Sequence, residues 1–139
     1  MEVVTSVMAR ERIMRLQEAM LALPADKQVH PAVRHFFAAG LYGREMTIPK
    51  GVVVVGKLHK CAHICTNSKG RVRVYTDGGM VEIVAPHTFI TQPGTKRVIL
   101  ALTKAVWTTY HHNPTNTEDQ DKLEAINIAQ SYTDLIEQE

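Results

Sequence analysis

Leu58-His59-Lys60-Cys61-Ala62-His63-Ile64-Cys65 is the stretch on which the reading of this chain turns. Side chains alternate across an extended strand, so His59, Cys61, His63 and Cys65 are expected on one face and Leu58, Lys60, Ala62 and Ile64 on the other. A helix would scatter the four polar groups around its axis. Two imidazoles and two thiols in a row form the densest group of metal-capable side chains in the sequence. The rest reads as scaffold for that row, or for the pocket it lines.

Composition sets the frame. A chain of 139 residues makes one domain with a real core and is too short for two ordinary ones. Hydrophobic residues make up 45% and charged residues 22%, as in a soluble globular protein. The net charge of +2, with basic and acidic residues interspersed, carries no nucleic-acid footprint. No apolar run reaches the length of a membrane span, and Met1-Glu2-Val3-Val4 lacks the basic lead and greasy middle of a secretion signal. The expected location is therefore the cytoplasm. The two cysteines, Cys61 and Cys65, lie about 13 Å apart at Cα on a straight strand, beyond disulfide reach. They are thiols, metal ligands or small core residues.

Before the row, residues 4–23 repeat Ile13, Leu16, Ala19, Met20 and Leu23 at three- and four-residue steps, predicting an amphipathic helix that Pro24 stops. Residues 25–40 read as a linker, within which Val33-Arg34-His35-Phe36-Phe37 is a short strand or turn. Strand signals follow at 41–48, 52–55, 71–75, 80–84, 87–91, 97–102 and 106–110, separated by Gly, Pro and Asn-Ser turn residues. With the His/Cys strand that makes about eight short strands over residues 41–112, pointing to a closed sandwich or barrel. Thr117-Glu118-Asp119-Gln120 has the form of a capping box and predicts a helix over 117–137, with Leu123, Ile126, Ala129 and Ile136 on its apolar side. The expected fold is thus mostly β, with an N-terminal and a C-terminal α-helix.

The turn and glycine spacing from Tyr42 to Trp107 resembles the cupin superfamily, which implies a single jelly-roll barrel. Counting back from Gly70, the first cupin motif puts His63 where its glutamate stands, His59 at its second histidine and Lys57 at its first. Pro93-Gly94-Thr95-Lys96-Arg97 approximates the second motif and puts Arg97 where the third metal histidine normally sits. More closely, Tyr42-Gly43-Arg44-Glu45, Ile48-Pro49-Lys50-Gly51, Gly56-Lys57-Leu58-His59 and Val106-Trp107-Thr108-Thr109 look like the small cupin-like proteins of tailed phages. Two standard ligands are replaced, so the usual cupin metal site does not carry over whole.

Two readings of the row stand side by side. In one it binds a transition metal, zinc or iron, for which imidazole and thiolate are suited. His59 and His63 would lie about 13 Å apart on a straight strand, so sharing an ion requires a bulge or bend near Cys61. A third ligand would come from Glu45 or from His111, although His111 and His112 next to Asn113-Pro114 also read as a solvated loop. In the other reading the row lines a barrel without an ion, its histidines bonded to carbonyls or carboxylates. Arg97, if it points inward, needs an anion: Glu45, or a phosphate or carboxylate on a ligand. Trp107 reads as a core residue that can also stack on a planar ligand.

Three function classes follow. The first is a pocket for a small polar or anionic molecule, such as one that a phage accessory protein sequesters. The second is a metal-dependent enzyme. The third is a structural or virion-associated oligomer. Helices flanking a β-core add the expectation of a homo-oligomer, and neither nucleic acid nor membrane is an expected partner. No nucleophile is paired with a base and no phosphate-cradling glycine loop is present in the sequence.

Overall fold

The computed structural model describes residues 2–129, with side chains from residue 9 onward. Helix α1 (Glu2–Leu21) leads through a 3-10 turn (Ala25–Lys27) into β1 (Ala32–Ala38) and β2 (Leu41–Ile48). Then come β3 (Val53–Val55), β4 (Leu58–His59), β5 (His63–Lys69), β6 (Arg71–Thr76), β7 (Gly79–Val84) and β8 (His87–Thr91). β9 (Val98–Ala101), β10 (Ala105–His112), α2 (Gln120–Asn127) and β11 (Ile128–Ala129) complete the order. A five-stranded sheet, β1-β2-β10-β5-β8, faces a four-stranded sheet, β3-β9-β6-β7, with every pairing antiparallel. The barrel expected from the sequence is thus present, mostly β with two helices.

Alternation decides what lies inside. On the five-stranded sheet Val33, Met46, Trp107 and Asn67 stand in one cross-strand row, and His35, Arg44, Thr109, Cys65 and Phe89 in the next. A third row carries Phe37, Tyr42 and His111, with His63 facing Thr91 beyond them. Met46, Cys65 and Trp107 meet Val72, Val74, Ile99 and Ala101 of the other sheet to form the core. Burying such side chains contributes roughly 1.5–3 kcal/mol each. On the outer face Phe36, Tyr110, Ile64 and Ile90 form a half-exposed apolar row across the same sheet.

Three sequence expectations change. Residues 25–40 are not only a linker: β1 pairs with β2 along its whole length, from Ala32 opposite Thr47 to Ala38 opposite Leu41. Its apolar residues do not alternate because it is an edge strand with both faces largely exposed. The His/Cys stretch is not one strand. It bends at Lys60 and Cys61, just after the Lys60 N–H donates to the Asn127 carbonyl at 2.8 Å in register with the β4–β11 pairing. The C-terminal helix is shorter than 117–137. Asp119, not Thr117, is its cap, accepting from the N–H groups of Asp121 and Lys122, and the chain is extended again by Ile128. Ile136 lies outside the described residues.

α2 and β11 close one end of the barrel. β11 pairs with β4, Ile128 opposite His59 and Ala129 opposite Leu58. The Asn127 amide donates to the His112 and Leu123 carbonyls at 3.3 and 3.1 Å. Lys60 Nζ donates to the Ala125 carbonyl at 2.8 Å, and Lys57 ion-pairs with Glu124.

Gly70 turns the chain from β5 into β6 at φ +82, where an added Cβ would run into the Lys104 backbone carbonyl. Gly51 has φ +81 with open space around it. Gly51→Ala is expected to cost about 1 kcal/mol from left-handed backbone strain alone, and Gly70→Ala at least twice that. Denaturant midpoints measure both, and equal costs would contradict the close approach at Lys104.

Candidate functional site

The bend after His59 is what assembles the site. His59 ends β4, His63 begins β5, and the three residues between them fold the two imidazoles onto each other, with ring centroids 4.2 Å apart. His111 reaches the same point from β10, where alternation turns Trp107, Thr109 and His111 inward. Its ring lies 5.0 Å from that of His59, nearly parallel, and 4.8 Å from that of His63. One nitrogen from each of the three lies within 4.8 Å of the others.

Each ring has a polar group two residues back in the chain beside it. For His59 it is the Lys57 carbonyl, which favours the protonated ring against the effect of burial. His63 Nδ1–H donates to the Cys61 carbonyl at 3.3 Å. His111 Nε2 lies 2.8 Å from the Thr109 hydroxyl. With His63 Nδ1 committed to a carbonyl, its Nε2 presents a lone pair. That atom is buried and has no hydrogen-bond partner among the described residues, a costly arrangement unless something binds there.

Burial, chiefly, keeps the cluster neutral. It pushes the His59 pKa down to about 3, with the neighbouring His63, His111 and Arg97 adding to the effect. His111 is likewise pushed down to about 3, first by burial and then by His63, Arg44 and His112. His63 moves the same way, mainly by burial, partly opposed by its bond to Cys61. Neutral imidazoles with free lone pairs are the form in which histidine binds a metal.

The three histidines open onto a cavity of about 480 Å³, whose wall includes Tyr42, Arg44, Met46, Lys57, Arg97, Trp107 and Thr109, with Leu123 and Glu124 from α2. Arg97 Nη2 donates to the Thr91 hydroxyl at 2.5 Å, and the guanidinium lies over Phe89 and Trp107, 5.1 and 5.9 Å from their ring centroids.

Of the residues singled out in the sequence, His59, His63, His111, Arg97 and Trp107 all line this cavity. His111 is buried on a strand (7% exposed), not solvated in a loop. Glu45 does not line it. Its neighbours Tyr42, Arg44 and Met46 take the inward positions of β2, which turns Glu45 outward to a bidentate pair with Arg34 at 3.0 and 3.3 Å. Glu45 therefore serves neither as a third ligand near the histidines nor as the partner of Arg97. Cys61 sits in the bend and contributes its carbonyl, while its thiol lies outside the cluster. Cys65 is fully buried in the core, its thiol pushed up by burial and 3.1 Å from the Thr91 hydroxyl.

Sequence reasoning missed Tyr42, His35, Arg44 and Thr109. Tyr42 is 4% exposed and its hydroxyl lies 2.6 Å from His35 Nδ1. The alternation of Tyr42, Arg44 and Met46 was the available signal.

No protein-family model and no curated protein matches the sequence. Solved structures do match in shape. A cupin-2 domain protein from Shewanella frigidimarina aligns with TM-score 0.51 at 7% identity, over 70% of this chain and 92% of that one. A protein from Neisseria meningitidis gives TM-score 0.51 at 8% identity, over 70% and 96%. An oxalate decarboxylase from Lactobacillus farciminis, in complex with formate, gives 0.54 at 17% identity, over 74% of this chain and 33% of that one. At such identities the likeness establishes the fold, a cupin barrel.

The lowered histidine pKa values set a pH dependence. Above about pH 6.5 the three imidazoles are neutral in the folded and unfolded chain alike, and full stability is present. As pH falls from 6.5 toward 3 the unfolded chain takes up protons that folded His59 and His111 refuse, so stability is lost across that window. Denaturant unfolding of metal-free protein is expected to show this decline, reduced in a His59→Gln, His111→Gln double variant. A flat profile in the parent protein contradicts the burial of neutral imidazoles.

Proposed function

We propose that this chain, a cupin barrel, binds a divalent transition ion through His59, His63 and His111 and takes a small anionic ligand beside it. The observation that carries this reading is the convergence of three inward imidazoles with the buried His63 Nε2 left without a partner. Three neutral nitrogen ligands suit zinc or iron(II), and a set of three leaves a position open for a ligand. Bound there, such an ion supplies a Lewis-acidic centre. The chain's own groups orient what enters: Arg97 and Arg44 bring positive charge to the wall, Thr109 a hydroxyl, and α2 covers the cavity's end.

The phage resemblance supports an accessory role in which such a ligand is sequestered in the host cytoplasm. Self-association belongs to the same proposal and is supported by the half-exposed row of Phe36, Tyr110, Ile64 and Ile90. A second reading, a metal-dependent enzyme, is favoured by one further feature. The Tyr42 hydroxyl, between His111 and His35 at the cavity wall, lies 2.6 Å from His35 Nδ1 and donates to Gln120 Oε1 at 3.3 Å, so it is placed to exchange a proton with His35.

Elemental analysis of protein purified without added metal is expected to give one zinc or iron per chain. Substoichiometric metal is expected in His63→Ala and His111→Ala, and unchanged content in Glu45→Ala and Cys61→Ala. Zinc at about one hundred times its Kd is expected to add about 2.7 kcal/mol of stability, reversed by a chelator. Metal retained after loss of two of the three histidines, or lost with Cys61, contradicts the assignment.

A further inference from the structure

Three cations stand on the cavity wall, and they are not equivalent. Lys57 is paired with Glu124, whereas neither Arg97 nor Arg44 has a carboxylate within ion-pair distance among the described residues. Arg97 is also the one held in a fixed plane, by Thr91 at 2.5 Å and by the faces of Phe89 and Trp107. Its hydrogen-bonding neighbours, the Thr91 hydroxyl and the Cys65 thiol, are neutral, so its charge is oriented but not compensated. A flat, immobilised guanidinium at a partly desolvated wall matches one planar anion with two oxygens.

One side of the cavity is apolar. Val33, Met46 and Trp107 share one inward row, two residues along the strands from the row of Arg44 and Thr109, and Val54 and Ile99 face them from the other sheet. Two residues of strand put the polar and apolar regions about 7 Å apart. Features that cradle a phosphate are missing from the described wall. The N-terminus of α2 is already capped by the Asp119 carboxylate, and Lys57, a cation that could serve a second phosphate charge, is taken by Glu124.

The geometry points to a small monocarboxylate with an apolar body as the ligand of this cavity, its carboxylate on Arg97 beside the three histidines and its body against Val33, Met46 and Ile99. This rests on reading the cavity as an anion-binding pocket and adds the class of ligand.

Isothermal titration of the whole chain, zinc-loaded and metal-free, with hexanoate, butanoate, hexanamide and inorganic phosphate tests it. Hexanoate is expected to bind, with affinity falling about fourfold for each methylene removed. Hexanamide and phosphate are expected to bind at least tenfold more weakly. Arg97→Gln is expected to lose at least tenfold toward hexanoate at unchanged zinc content, and Arg97→Lys to recover part of the loss. Hexanamide binding as tightly as hexanoate, phosphate binding more tightly, or an unaffected Arg97→Gln overturns the inference. The comparison of acid with amide decides the matter even if Arg97→Gln fails to fold. Zinc uptake without hexanoate binding sinks this inference and leaves the metal reading standing. Arg97-dependent hexanoate binding by a chain that takes up no zinc does the reverse.

Discussion

Everything at the site depends on one interruption of a strand. If residues 58–65 ran straight, His59 and His63 would be about 13 Å apart at Cα and unable to share anything. They are brought into contact by the turn at Lys60 and Cys61, which follows the last β4–β11 bond, from the Lys60 N–H to the Asn127 carbonyl. Lys60 Nζ reaches the Ala125 carbonyl from the same bend, so main chain and side chain are both tied to the C-terminal segment. Helix α2 and β11 are therefore part of the site's construction. They cover the barrel's end and also set the angle at which two of its imidazoles meet.

Given that bend, the remaining chemistry follows from alternation and burial. Inward positions on β2, β5 and β10 place Tyr42, His63 and His111 at one level and Arg44, Thr109 and Cys65 at the next. His63 and His111 each have one nitrogen engaged near their own strand, which fixes ring orientation as hydrogen-bonded neighbours do around metal-binding histidines. Burial keeps the rings uncharged, so they neither repel an incoming cation nor compete with Arg97 for an anion. A cavity that joins neutral nitrogen donors, an uncompensated guanidinium and an apolar wall has the makings of a selective small-molecule site.

The barrel was legible in the sequence because turn residues recur between short apolar runs, about eight of them between residues 41 and 112. β1 was harder to read: as an edge strand it buries little, so nothing forces Val33 to Phe37 into alternation. The histidines could be identified by type but not by geometry. Period-two reasoning puts Cys61 in line with them, and only the bend at Lys60 and Cys61 removes it. Glu45 was misplaced for a related reason. A glutamate between Arg44 and Met46 must face away from both, as the strand's own alternation implies, and Glu45 meets Arg34 there. The length of α2 was overestimated because helical spacing continues past Asn127, where pairing with β4 takes the chain instead.

The central claim is that His59, His63 and His111 look into one hollow and share an ion there. X-ray absorption at the zinc edge of the zinc-loaded chain examines it most directly. The account predicts a first shell of nitrogen or oxygen at about 2.0 Å, with outer-shell scattering from three imidazoles. A sulfur shell at about 2.3 Å, or a first shell without imidazole scattering, would contradict it.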